Sequence, residues 1–185
     1  QIAGNPYGFA IGDVLMVTDC ENADIFRATT VSGGGTVTMS HANSTNTGNR
    51  VGTYGPDGIV FKMQQFSYFI GINSAGNRAL YRTEMTTGAA QGTQELVENV
   101  EDMQVTYGRD TTGDRAADVY SDATGVGANW NQVVSARISL LLASPENNVT
   151  TSAQTYMFNG ASVNAGDRRM YQTFTATIGI RNRLP

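Results

Sequence analysis

Two stretches of strict alternation constrain the fold of this chain more than any other feature. In "VVSARISLLLAS", residues 133–144, Val134, Ala136, Ile138, Leu140 and Leu142 fall on one side, with Ser135, Arg137 and Ser139 on the other. In "MYQTFTATIGIRN", residues 170–182, Met170, Phe174, Ala176, Ile178 and Ile180 oppose Tyr171, Thr173, Thr175, Thr177 and Arg181 in the same way. A two-residue period sustained this long marks a β-strand with one apolar and one polar face. At roughly 25 cal/mol per Å² of apolar surface removed from water, these two apolar faces are expected to form the largest share of the core. A polar substitution at Ile138 or Ile178 should then cost more than any change at Thr175.

The same period recurs in shorter pieces. "DVLMVTDC" carries a continuous apolar run over Val14 to Val17, the pattern of a strand covered on both faces. "ADIFRATTV" leads into "SGGG", whose glycines suit a hairpin connection, and "TVTMSHA" returns with Val37 and Met39 on one face. Residues 42–58 read as irregular, closed by the turn at Pro56-Asp57-Gly58. In "IVFKMQQFSYFIGI" the phase slips between Met63 and Phe66, and a β-bulge at Gln64-Gln65 is favoured over a break between two strands. "NSAGN" is a hairpin loop and "ALYRTEM" its partner strand. In "LVENVEDMQVTYGRD", Leu96, Val100 and Met103 keep helical spacing beside Val97, before Met103, Val105 and Tyr107 alternate. That change predicts a short helix running directly into a strand. A short strand is expected around Tyr156 and Phe158.

With 185 residues and only 15% of them charged, the chain suits one β-rich domain over 1–185 that needs no staples. Of twelve basic residues only Lys62 is a lysine, and the formal charge of −4 argues against a phosphate-binding surface. Cys20 is the only cysteine, so no internal disulfide forms, and no apolar run approaches the ~18 residues of a membrane-spanning helix. The expected fold class is α+β, predominantly antiparallel β, with two sheets and a short helix.

The residues that carry chemistry are sparse. His41 is the only histidine, which excludes multi-histidine metal sites, and it continues the Val37, Met39 face, where packing is its ordinary role. A Cys20–His41 nucleophile pair lacks a catalytic signature, and Asp13, Asp19 and Asp24 lie at turns and strand ends. "VSGGGTV" and "SDATGVGAN" read as turns, because neither opens a helix whose N-terminus would hold an anion. Asn43-Ser44-Thr45 and Asn148-Val149-Thr150 match the glycosylation pattern, in a chain rich in Asn and Thr. Asp110, Asp114, Asp118 and Asp122 recur every four residues in a glycine-containing loop; a weak calcium site near Asp110 and Asp114 is weighed there against an exposed polar loop, which the spacing favours. Eight acids (Glu95, Glu98, Glu101, Asp102, Asp110, Asp114, Asp118, Asp122) lie between 95 and 122, while Arg168, Arg169, Arg181 and Arg183 close the chain. Solvated faces explain both groups, and a functional version would have them meet between neighbouring subunits. No catalytic, cofactor-binding or metal-binding residue is assigned, no cofactor is expected, and the chain does not read as an enzyme.

The blocks "GDVLMVTDCENADIFRAT", "LVENVEDMQVTYGRDTTGDRAADVY", a linker with Trp130 into "VVSARISLLLAS", and "YQTFTATIGIRNRLP" together resemble the PilW family of type IV pilus minor pilins. That family is related to the J-type minor pseudopilins of type II secretion. The resemblance implies a pilin-like globular head of antiparallel sheets that normally follows a long hydrophobic N-terminal helix, absent here, so the chain reads as one piece of a longer protein. It implies a structural subunit that joins other minor pilins and the major pilin in a tip complex priming pilus assembly, in service of motility, adhesion or DNA uptake. Such a subunit sits in the inner membrane and periplasm before assembly and at the extracellular tip afterwards, and no small-molecule substrate or specific nucleic-acid binding is implied. A type II minor pseudopilin, or a surface adhesin or carbohydrate-binding module stacking sugars on Tyr54, Tyr120 and Trp130, are the alternative readings.

Overall fold

The computed structural model describes residues 1–48, 51–85 and 92–181. The chain divides into two compact units, one of residues 1–68 and 82–94, the other of residues 69–81 and 95–185.

In the first unit, strands β1 (Ile2–Ala3), β2 (Val14–Thr18), β3 (Ala23–Arg27), β4 (Thr30–Ser32), β5 (Thr36–Ser40) and β6 (Ile59–Lys62) form two antiparallel sheets, ordered β3-β2-β6 and β1-β5-β4. Leu15 and Val17 alternate inward from β2 and are buried with Phe9, Phe26 and Ala28, while Ile2, Val31, Met39, Tyr54 and Val60 pack around them. The intervening Val14 and Met16 are half-buried, so the run at 14–17 is sheltered on both faces as its composition predicts. The glycine hairpin between β4 and β5 also forms: a Cβ on Gly33, at φ +104°, would stand 2.0 Å from the Thr36 carbonyl oxygen. The buried Asp13 carboxylate accepts the Ala10 N–H at 2.9 Å and pairs with Lys62 Nζ at 2.9 Å.

Strands β7 (Phe66–Ile72), β8 (Arg78–Glu84) and β9 (Gln94–Glu98) make a third sheet in that order. The favoured bulge at Gln64-Gln65 is replaced by a break. The Met63 N–H still bonds the Val14 carbonyl at 2.8 Å, whereas the Gln65 carbonyl already accepts the Met85 N–H at 2.8 Å, so the chain changes neighbours between them. The predicted short helix at 96–103 is likewise a strand. Leu96 and Val97 are exposed in β9, so no buried stripe rewards helical spacing, and Asn99 at φ +60° makes the corner into the next strand.

The second unit is built on β10 (Val100–Arg109), β11 (Val119–Ser121), β12 (Val133–Ala143), β13 (Thr155–Phe158), β14 (Ala161–Asn164) and β15 (Tyr171–Gly179), with one short helix, α1 (Ala123–Val126), and a 3-10 turn at Trp130–Gln132. The four-stranded antiparallel sheet runs β11-β10-β12-β15, and β13 and β14 form a separate hairpin. Across the sheet, Met103, Leu140 and Phe174 lie in one row, Val105, Ile138 and Ala176 in the next, and Tyr107, Ala136 and Ile178 in a third. Gln104, Ser139 and Thr175, then Thr106, Arg137 and Thr177, make the rows of the opposite face. The β13–β14 hairpin turns at Asn159 and Gly160, with φ +49° and +77°, and Thr173 Oγ1 donates to the Met157 carbonyl at 2.7 Å. Phe158, on the hairpin, lines a groove with Gln104, Arg137, Ser139 and Thr175, which puts the hairpin over the polar face. The class is α+β and predominantly antiparallel, as the alternation predicts, but the described strands form five sheets rather than two.

Candidate functional site

Much of the apolar face of the four-stranded sheet is exposed among the described residues, although Val134 at one end of it is buried. Phe174 is 50% exposed, Ile178 56% and Trp130 45%, and Ile138 and Leu140 are only half-buried. The expectation that these faces form the largest share of the core therefore fails for the β15 half, whereas on the β12 half Val134 is buried and its neighbours are half-buried. The side chains buried in this unit, among them Val100, Val126, Leu141 and Phe158, stand at strand ends, on α1 and on the hairpin side. The physical reason is the position of the β13–β14 hairpin, which lies on the Thr175 side, since alternation reports that a face is apolar without reporting what shields it.

Several local devices hold this face in shape. Trp130 meets Tyr107 edge to face with ring centroids 4.9 Å apart. The tryptophan is delivered by α1, where the Asp122 carboxylate caps the Gly125 N–H at 2.7 Å, and by the Asn129 N–H bonding the Val126 carbonyl at 3.1 Å. Behind Tyr107, Gly108 leaves no room for a side chain: a Cβ there would lie 2.3 Å from Ser135 Oγ and 2.7 Å from Ala117 Cβ. The exposed Met170, Ile180 and Val119 extend the apolar character to the rim.

The remaining candidates are occupied otherwise. In the 110–122 loop, Asp110 accepts the N–H groups of Gly113 at 2.6 Å and Arg115 at 2.8 Å, and Asp118 accepts the N–H and hydroxyl of Thr111 at 2.7 and 2.9 Å. Asp114 accepts the Ala116 N–H at 2.9 Å. These bonds hold the Asp110 and Asp118 carboxyls below their ordinary range, chiefly through the Gly113 and Thr111 N–H groups respectively. Among the described residues no three metal-ligating acids, cysteines or histidines converge. The carboxylates thus shape the loop rather than point together at a cation.

One member of each charge group meets the other inside the chain, and neighbouring polar groups bond the remaining nearby acids. Arg169 reaches Glu101 at 2.6 Å and the Ser144 carbonyl at 2.6 Å, Arg78 lies 3.7 Å from Glu101, and Asn73 donates to Glu95 and Glu98 at 3.0 and 2.9 Å. Arg168 bonds Asn148, and Arg183 lies outside the described residues. Cys20 is exposed in a tight turn at φ +72°, and His41 packs edge-on against Phe26 at 5.5 Å, the ordinary packed role. Of the aromatic rings considered for sugar stacking, Tyr54 donates its hydroxyl to Asp24 at 2.7 Å and Tyr120 is already covered by the Arg137 guanidinium at 3.7 Å. Sequence reading missed the Asp122-capped helix and strand β14: "NGASVNAGD" reads as a turn-rich connection after the strand at Tyr156 and Phe158, and its Asn159-Gly160 turn does form, but Ala161–Asn164 returns as a strand paired with β13.

An exposed apolar sheet face of this kind is suited to association. Comparison with curated proteins and with solved structures finds no match. The model of one family, PilW, described as type IV pilus-assembly protein W, matches residues 67–182, which hold the whole four-stranded sheet and more than half of the chain. The chain belongs to the PilW family and takes part in type IV pilus assembly.

Proposed function

We propose that this chain is a structural minor pilin that joins other minor pilins in a tip complex priming type IV pilus assembly, with the major pilin following beneath it. It performs no catalysis. The uncovered apolar face of the β11-β10-β12-β15 sheet is the observation that carries this reading, since an assembly subunit must keep dry surface for its neighbours. In this role the head stands on an apolar helix that holds it in the inner membrane before assembly and in the filament afterwards, and its final place is the pilus tip.

The test is replacement of the chromosomal copy by Phe174→Asp, Ile178→Asp, with Val149→Asp, on an exposed loop, as control. Surface pili should fall to the level of a strain lacking the protein in the first case and stay normal in the second, with both heads present at wild-type amounts. Normal piliation with the double variant would refute the reading.

A further inference from the structure

We propose that the outer edge of β15 is a strand-pairing site for a second copy of this chain. The ladder direction follows from two bonds: the Ile180 N–H donates to the Val134 carbonyl and the Ser144 N–H to the Met170 carbonyl, both at 2.8 Å. With Ala136 opposite Ile178, the even-numbered residues of β15 turn their backbone groups toward β12, and the odd-numbered ones turn theirs outward. Tyr171, the first outward residue, is closed by one side chain: Gln154 Oε1 accepts its N–H and Gln154 Nε2 donates to its carbonyl, each at 2.8 Å. Thr173 is half-buried and gives its hydroxyl to the Met157 carbonyl of the hairpin, but among the described residues the outward backbone groups of Thr173, Thr175, Thr177 and Gly179 bond nothing.

This edge lacks the usual protection. From Tyr171 to Ile180 there is no charge and no proline, and residues 174–180 are exposed without interruption. The opposite edge is the three-residue β11. The occupant is a β-strand, because only a strand presents backbone donors and acceptors at that spacing. A second copy fits by self-complementarity. In the antiparallel register that sets Ala176 opposite its own counterpart, Thr173 faces Gly179 and Thr175 faces Thr177, so all four open residues find partners and each facing pair exchanges two hydrogen bonds. The same register sets Phe174 against Ile178 twice on the apolar side, in the close non-hydrogen-bonded pairs. No charge opposes the match. Two edges of this length bury less than the ~1,200 Å² of a standard stable interface, so the dimer is concentration-dependent. The inference stands on backbone geometry and goes beyond the docking role of the sheet face.

The experiment is disulfide trapping in a Cys20→Ser background. Facing residues of a non-hydrogen-bonded pair have Cα atoms about 4.5 Å apart, within the range a disulfide spans, so Ala176→Cys should oxidise to a covalent dimer across the axis. Val119→Cys on the far edge should give at least tenfold less. Thr175→Pro removes one outward N–H at a position an edge strand tolerates, and should weaken association at least tenfold by sedimentation velocity with unchanged melting temperature. Equal trapping from Ala176→Cys and Val119→Cys, or a chain that stays monomeric at millimolar concentration, overturns the proposal and leaves the edge to a strand of another protein.

Discussion

Replacing Ile178 by threonine separates a core residue from an uncovered one. Full burial of an isoleucine side chain contributes about 1.5–3 kcal/mol, but Ile178 is 56% exposed, so less than half of that benefit is present in the folded chain. Threonine keeps the β-branch that suits a strand. The substitution should therefore destabilise by less than ~1 kcal/mol. Val100 is fully buried in the same unit, and Val100→Ala removes two carbon groups at ~0.8 kcal/mol each and leaves a cavity, for about 2–3 kcal/mol in all. Trp130 is the only tryptophan and lies in this unit, so its fluorescence during urea unfolding reports the relevant transition. Measurements at low micromolar protein keep association out of the comparison. An Ile178→Thr cost equal to that of Val100→Ala would refute the reasoning, because the face would then be covered in solution.

Glu101→Gln leaves the partly buried Arg169 without its counter-charge, and should destabilise by about 1–3 kcal/mol in calorimetry, with rescue by the double change Glu101→Gln, Arg169→Met. For Asp110 and Asp118 the folded pKa lies below the unfolded value, so their contribution is fully present above the ordinary value of 3.8 and disappears as pH falls through the folded pKa. Carboxyl NMR titration should place both midpoints below 3.8, and the Gly113 and Thr111 amide signals should shift only there. The Tyr54 hydroxyl, donating to the Asp24 carboxylate, is pushed up to about 12, and Asp24→Asn should bring its spectrophotometric midpoint back toward 10.0.

The strands around Ile138 and Ile178 were legible because alternation depends only on the local pleat. Their exposure was not, because it depends on where a hairpin sixteen residues away in sequence from Thr173 comes to rest, as the bond from Thr173 to Met157 shows. The same limit explains Leu96 and Val97: helical spacing gave way to pairing beside β8, a partner that no local pattern names. At Gln64-Gln65 the phase slip was real, but a bulge and a change of sheet leave the same trace in a sequence. The closing arginines and the acids of 95–122 read as separate charged groups, whereas Arg169 and Glu101 meet at 2.6 Å only once β10, β12 and β15 are aligned. The acidic loop was legible as a polar loop, since short carboxylates beside glycine and threonine bond their own backbone.

The central claim is that the uncovered sheet face is where this head meets the pilus. Its most direct test is a photo-reactive amino acid placed at Ile178 in piliated cells, with Val149 as the control position. An adduct should form at Ile178, with its partner identified by mass spectrometry as a pilus subunit, and none at Val149. A folded, exported head that yields no pilus-subunit adduct from Ile178 would contradict it.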